Sequence, residues 1–142
     1  MEEKLTEELL NELLFSDSLD TFLIKDIPDV KEDLPERLRY LLTKKRLKKS
    51  DVVRRSGLNA TFAYQIFSGD RKASRNKILQ LALAMGLDLK ETQGLLKLSG
   101  ANELYCKDRR DAIIIYCITK QMPLEEVDDT LFQFGETTIC EG

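Results

Sequence analysis

The sequence lacks histidine and tryptophan entirely, and it has only three cysteines in 142 residues. Without histidine, the commonest general base is missing, as is any Ser–His or Cys–His nucleophile. The cysteines, Cys106, Cys117 and Cys140, are odd in number and form no CxxC motif, so they indicate neither a disulfide framework nor a zinc site. No glycine-rich phosphate loop is present. We therefore expect no enzyme activity, no metal and no cofactor.

Long apolar stretches are also missing. No run of 18 apolar residues occurs, and residues 1–12 are acidic, unlike a signal peptide. A length of 142 residues suits one domain, or one domain with extensions. The sequence predicts a cytoplasmic protein without a membrane partner.

The charge is distributed in three blocks, although the net charge of the chain is only −3. Residues 1–36 contain 3 Lys/Arg and 12 Asp/Glu (net −9), residues 37–77 contain 13 and 2 (net +11), and residues 78–142 contain 6 and 11 (net −5). A basic block concentrated on one short segment is the electrostatic pattern of phosphate binding. It points to a nucleic acid.

Within the basic block, two short helices are predicted, over 50–56 and 60–68. Gly57 suits the left-handed conformation that ends a helix, and Leu58 follows as an apolar plug. Asn59 is a suitable N-cap for the second helix, which ends before Gly69. Two helices joined by a three-residue, glycine-led turn form the helix-turn-helix pattern, in which the second helix enters the major groove of DNA.

These residues resemble the Cro/cI-type (XRE) family of helix-turn-helix regulators, over residues 35–92. In that family a small residue, the turn glycine and a β-branched residue pack together, and Val53, Gly57 and Ala63 occupy these positions. The segment 68–74, SGDRKAS, is similar to the family's usual ending of the second helix. The resemblance implies an all-α, lambda-repressor-like five-helix domain that binds double-stranded DNA sequence-specifically as a dimer and regulates transcription, most often as a repressor.

The resemblance also assigns candidate roles to individual residues. Gln65 is the candidate best suited to a bidentate contact with adenine. The base-contact candidates are Asn59, Ala60, Thr61 and Gln65. The phosphate-contact candidates are Lys48, Lys49, Arg54, Arg71, Lys72 and Arg75. The turn and motif core are Val53, Gly57, Leu58, Ala63 and Ile66, and a side chain added at Gly57 is expected to press on Val53 and Ala63.

Three aromatic residues in the second helix depart from the family pattern: Phe62, Tyr64 and Phe67. One or two of them are expected in the core. If Tyr64 and Phe67 are instead exposed together, they favour an alternative function, in which the same fold serves as a protein-interaction adaptor or an antitoxin-like partner.

Three regions follow from these patterns: an acidic helical arm (1–33), the helix-turn-helix domain (34–100) and a C-terminal extension of two helices (101–142). About eight helices and no strands are expected. The run 112–118 is apolar on every side and must be covered, either by the chain's own core or by a second copy in a homodimer. The arm and the C-terminal helices are candidate surfaces for a protein partner.

Overall fold

A computed structural model describes residues 32–140 of the chain. The chain divides into two units, Met1–Glu32 and Asp33–Gly142, and the predicted helical arm at 1–33 lies almost wholly outside the described residues. No strand occurs in the described range, which confirms the all-α prediction, and none of its helices is long and apolar enough to span a membrane. The helices are α1 (Leu34–Lys44), α2 (Lys49–Ser56), α3 (Ala60–Ser68), α4 (Arg75–Ala84), α5 (Leu89–Leu98), α6 (Arg109–Thr119) and α7 (Leu124–Gln133).

Local capping hydrogen bonds begin several of the helices. Asp88 accepts a hydrogen bond from the Glu91 N–H (2.7 Å), and the Glu91 carboxylate accepts one from the Asp88 N–H (3.0 Å), which completes a capping box at α5. Asp108 caps α6 through the Asp111 N–H (2.9 Å). Ser74 is the N-cap residue of α4, but its side chain makes no capping hydrogen bond.

Helix α4 lies at the centre of the core. Every residue from Ile78 to Ala84 is buried, and α4 packs against α2, α5 and α7. Gln80 is the polar member of this run, and its Nε2 donates to the Ser56 carbonyl oxygen at the end of α2 (2.9 Å). Helix α4 therefore packs against the helix-turn-helix on its core side, and α4 cannot move without disturbing the close-packed core.

The C-terminal extension contributes to the same core. Ile114, Cys117 and Ile118 of α6 are buried, and they belong to one apolar cluster with the buried residues of α1 to α5. Tyr116 leaves 55% of its surface exposed. The cover required by the apolar run 112–118 thus comes mainly from the chain itself, which favours a core extension over a dimer interface.

An ion pair joins the predicted helix-turn-helix domain (34–100) to the C-terminal extension (101–142). The guanidinium of Arg75, at the start of α4, donates to both carboxylate oxygens of Asp111 on α6 (3.0 and 2.7 Å), and the Tyr105 N–H donates to the same carboxylate (3.0 Å). Burial disfavours the charged form of Asp111, but these hydrogen bonds outweigh it and hold the pKa of the carboxyl below its ordinary value. Asp111 therefore stays ionised in the fold.

Residues 136–140, here called the C-terminal segment, return to the helix-turn-helix. Asp128 of α7 accepts hydrogen bonds from the N–H groups of Ile139 (2.6 Å) and Cys140 (3.0 Å). Arg110 donates to the Thr137 carbonyl oxygen (2.7 Å) and to Asn76 of α4 (3.1 Å). Ile139 is only 1% exposed. These contacts hold the C-terminal segment in a fixed position beside α4.

Candidate nucleic-acid interface

The turn between α2 and α3 has the predicted geometry. Gly57 ends α2 in the left-handed conformation, with φ +73°. The Oγ of Ser56 accepts from the Leu58 N–H (3.2 Å), and Asn59 caps α3 by accepting from the Phe62 N–H (3.1 Å). These two hydrogen bonds, one within the turn and one at the start of α3, help to fix the direction of α3 relative to α2.

The predicted motif core is buried, with one correction. Val53, Ala63 and Ile66 are 4%, 0% and 0% exposed, and Leu58 packs against them from a half-buried position. The expectation that a side chain at Gly57 presses on Val53 and Ala63 is wrong. A Cβ there would first meet Gln80 Nε2 at 3.8 Å and Cys140 Sγ at 3.9 Å, which are ordinary van der Waals distances. Backbone strain alone therefore makes glycine necessary at this position.

We expect Gly57→Ala to lower the free energy of unfolding by about 1 to 2 kcal/mol, the usual cost of a left-handed conformation for a residue with a Cβ. Gly94→Ala is the matched control, because Gly94 lies inside α5 without a positive φ. Its change should be neutral or stabilising, since glycine costs a helix interior about 0.5 to 1 kcal/mol relative to alanine. Denaturant unfolding of both variants measures the difference. Equal destabilisation would show that the φ of Gly57 is not the cause.

The outward face of α3 carries the base-contact candidates. Asn59, Ala60 and Thr61 are exposed, and Gln65 is half-buried. Tyr64 lies between them with 42% of its surface exposed. The geometry brings these five side chains together on one convex helix surface.

Phe67, one turn after Tyr64 on α3, is directed into the core. It is 2% exposed, and the Lys49 ammonium lies 5.5 Å from its ring centroid. The expectation that one or two of the three aromatic residues are in the core is confirmed. An exposed pair of Tyr64 and Phe67 is ruled out, because the Phe67 side chain is buried while Tyr64 is exposed.

The phosphate-contact candidates fall into two groups. Within residues 32–140, Lys48, Lys49, Arg71 and Lys72 take part in no ion pair. Arg54 pairs with Asp51 (3.0 Å) on the exposed side of α2. Arg75 is committed to Asp111, as described above, and its guanidinium also donates to the carbonyl oxygens of Asn102 and Glu103. Arg75 thus has a structural role that its position in the motif did not indicate.

A cleft of about 490 Å³ opens beside the outward face of α3. The Phe62 ring forms part of its wall, and two cations lie against that ring: the Arg71 guanidinium carbon at 5.6 Å and the Lys77 Nζ at 5.4 Å from the centroid. Sequence reasoning did not select Lys77, because its approach to Phe62 depends on how the loop 69–74 returns α4 to α3. The cleft is lined by Gly57, Leu58, Asn59, Thr61, Phe62, Gln65, Arg71, Lys77, Gln80 and Cys140.

Cys140 brings no negative charge to this cleft at neutral pH. Burial of the thiol, together with the neighbouring Asp128 carboxylate, raises the pKa of Cys140 to about 12. The described part of the chain has no group of three or more Cys, Asp or Glu side chains placed to hold a metal ion. The charged residues that line the cleft are Arg71 and Lys77, and its other lining residues are uncharged.

No family model, curated protein or solved structure matches this chain.

Proposed function

We propose that this protein is a sequence-specific regulator of transcription, acting as a repressor, that binds double-stranded DNA through a lambda-repressor-like domain formed by α1 to α5. Helix α3 enters the major groove, where Thr61 and Gln65 contact base edges. The loops and helix starts around α3 bind the phosphate backbone.

One observation carries this proposal. Helix α3 has no acidic residue, and four cations without an acidic partner in the described residues lie at the start of α2 and just after α3: Lys48, Lys49, Arg71 and Lys72. An α-helix fits the major groove of B-DNA, and cations on either side of such a helix suit the phosphates that border the groove. On a surface that is only solvated, positive and negative side chains are usually mixed rather than separated in this way.

The test is selection of bound sequences from a random duplex pool, followed by affinity measurements at several salt concentrations. If the four cations each contact one phosphate, log affinity should fall with log salt with a slope of about −3.6, which amounts to about a hundredfold loss between about 50 and about 200 mM salt. The selected duplex should bind more tightly than a scrambled duplex at every salt concentration. Absence of duplex binding at low salt would reject the proposal.

Within this proposal, Gln65→Ala should reduce the preference for the selected duplex over a scrambled one by about 1 to 3 kcal/mol, the value of a bidentate base contact. Gln133→Ala is the matched control, since Gln133 is an exposed glutamine at the end of α7. It should leave both affinities unchanged. An equal loss on both duplexes for Gln65→Ala would assign Gln65 to the backbone instead.

One observation favours the alternative, a protein-interaction adaptor. Tyr64 exposes 42% of its surface in the middle of the α3 face, and tyrosine is enriched at protein interfaces. In that case Tyr64→Ala would abolish capture of a protein partner, while the wild-type chain would show no salt-dependent duplex binding.

A further inference from the structure

The cleft beside α3 has the chemistry of an anion site. Its polar wall contains one guanidinium, one ammonium, the amides of Asn59, Gln65 and Gln80, and the hydroxyl of Thr61, and no carboxylate lines it. Every charged group in the wall is therefore positive.

The two cations are held by a common neighbour. Arg71 lies in the loop after α3 and Lys77 lies in α4, and both approach the ring of Phe62 to within about 5.6 Å of its centroid. An aromatic ring attracts cations over its face, so Phe62 limits the positions that both flexible side chains occupy. Both cations line the same cleft, so an anion bound there is attracted by both.

We propose that this cleft binds one backbone phosphate of the DNA duplex, and that Phe62 is a positioning residue that holds Arg71 and Lys77 as its donors. The identity of the phosphate as part of DNA rests on the proposed function. The inference adds a previously unassigned phosphate ligand, Lys77, and gives a role to an aromatic residue that departs from the usual helix-turn-helix pattern.

The position of the cleft beside α3 favours a phosphate of DNA over a free phosphate as its ligand. One wall is the edge of the α3 face that carries Thr61 and Gln65, so a phosphate seated there is adjacent to the bases that these residues contact. A phosphate in this position sets the register of α3 along the groove, because backbone contacts orient a protein on the duplex.

The experiment measures the slope of log affinity against log salt for wild type and four variants on the selected duplex. Lys77→Met keeps the length of the side chain and removes its charge, and Phe62→Leu removes the ring. Each should make the slope shallower, by no more than about 0.9, the contribution of one phosphate contact, because Arg71 remains beside the phosphate. Phe62→Tyr retains the ring face and should keep the wild-type slope. Lys90→Met, at an exposed lysine of α5 outside the cleft, is the charge-matched control and should also keep it.

A second readout checks the geometry in the free protein. Protons of the Arg71 and Lys77 side chains that lie over the Phe62 ring should show upfield NMR shifts, which Phe62→Leu abolishes and Phe62→Tyr retains. Thermal melting of each variant confirms that it is folded, and Lys77→Met tests the phosphate contact with the ring intact.

The outcomes separate the two proposals. If the wild type binds duplex with a steep slope but Lys77→Met and Phe62→Leu leave that slope unchanged, this inference is wrong and the proposed function stands. If the wild type binds no duplex, the proposed function fails, and the occupant named here fails with it. Saturable binding of inorganic phosphate at constant ionic strength, lost in Lys77→Met and not displaced by duplex, would assign the cleft to a free phosphorylated ligand and overturn the DNA assignment.

Discussion

Replacing Arg75 by alanine is expected to lower the free energy of unfolding by about 3 kcal/mol, in the range found when one partner of a buried ion pair is removed. The variant leaves the Asp111 carboxylate, whose side chain is only 8% exposed, with its charge uncompensated between α4 and α6. It also removes the donors to two backbone carbonyls before α6. Denaturant unfolding measures the change. The loss is large, because the total unfolding free energy of a small domain is only a few times this value.

Arg54→Ala provides the matched control. Arg54 also pairs with an aspartate, Asp51, at a similar distance of 3.0 Å, but its side chain is 72% exposed. Exposed pairs contribute between about 0 and 1 kcal/mol. Equal effects of the two substitutions would mean that the Arg75–Asp111 pair is not a structural link between the domain and its extension.

The pH dependence gives an independent check. The pKa of Asp111 is lowered from its ordinary value of 3.8, so the pair contributes stability above that pH, and the contribution is lost as pH falls through the lower, folded value. The difference in unfolding free energy between wild type and Asp111→Asn should therefore shrink below about pH 3.8. A difference that stays constant down to strongly acidic pH would contradict ionisation of Asp111 in the fold.

The second large effect is expected at the C-terminal segment. Ile139→Ala should destabilise the protein by about 2 to 5 kcal/mol, the cost of removing a fully buried branched side chain and leaving a cavity. Ile139 is 1% exposed and belongs to the same apolar core as α2 to α4. Unfolding should remain a single transition, because the segment and the helix-turn-helix share that core.

Phe132→Ala is the control for this substitution. It removes a larger apolar side chain from α7, but Phe132 is 78% exposed, so its change should stay within about 0.5 kcal/mol. If Ile139→Ala is equally mild, or if it gives a separate early transition, the C-terminal segment is peripheral to the core.

Most of the helix boundaries were predictable, because local chemistry sets them. The capping box of Asp88 and Glu91, the cap at Asp108 and the turn glycine Gly57 act over three or four residues. Helix α3 was predicted to the residue. The packing of Val53 and Ala63 was expected from the resemblance to the helix-turn-helix family, and both are buried.

The contacts that organise the candidate site were not predictable in this way. Arg75 and Asp111 are 36 residues apart, and nothing in either local pattern connects them. The position of Arg75 in the motif predicted a contact with a DNA phosphate. In the fold, α6 lies beside the start of α4, and Arg75 binds the carboxylate of Asp111 instead. Phe67 and Lys77 are similar cases, because their surroundings depend on α1, α2 and α4 packing together rather than on the spacing within one helix.

The three cysteines also decide how the protein can be labelled. For site-specific dyes the three thiols differ: Cys117 is buried, whereas Cys106 and Cys140 are both exposed, and the pKa of Cys140 is raised to about 12. Since the thiolate is the reacting species, maleimide at neutral pH should modify Cys106 first, which gives a single fluorescent reporter without any substitution in the chain.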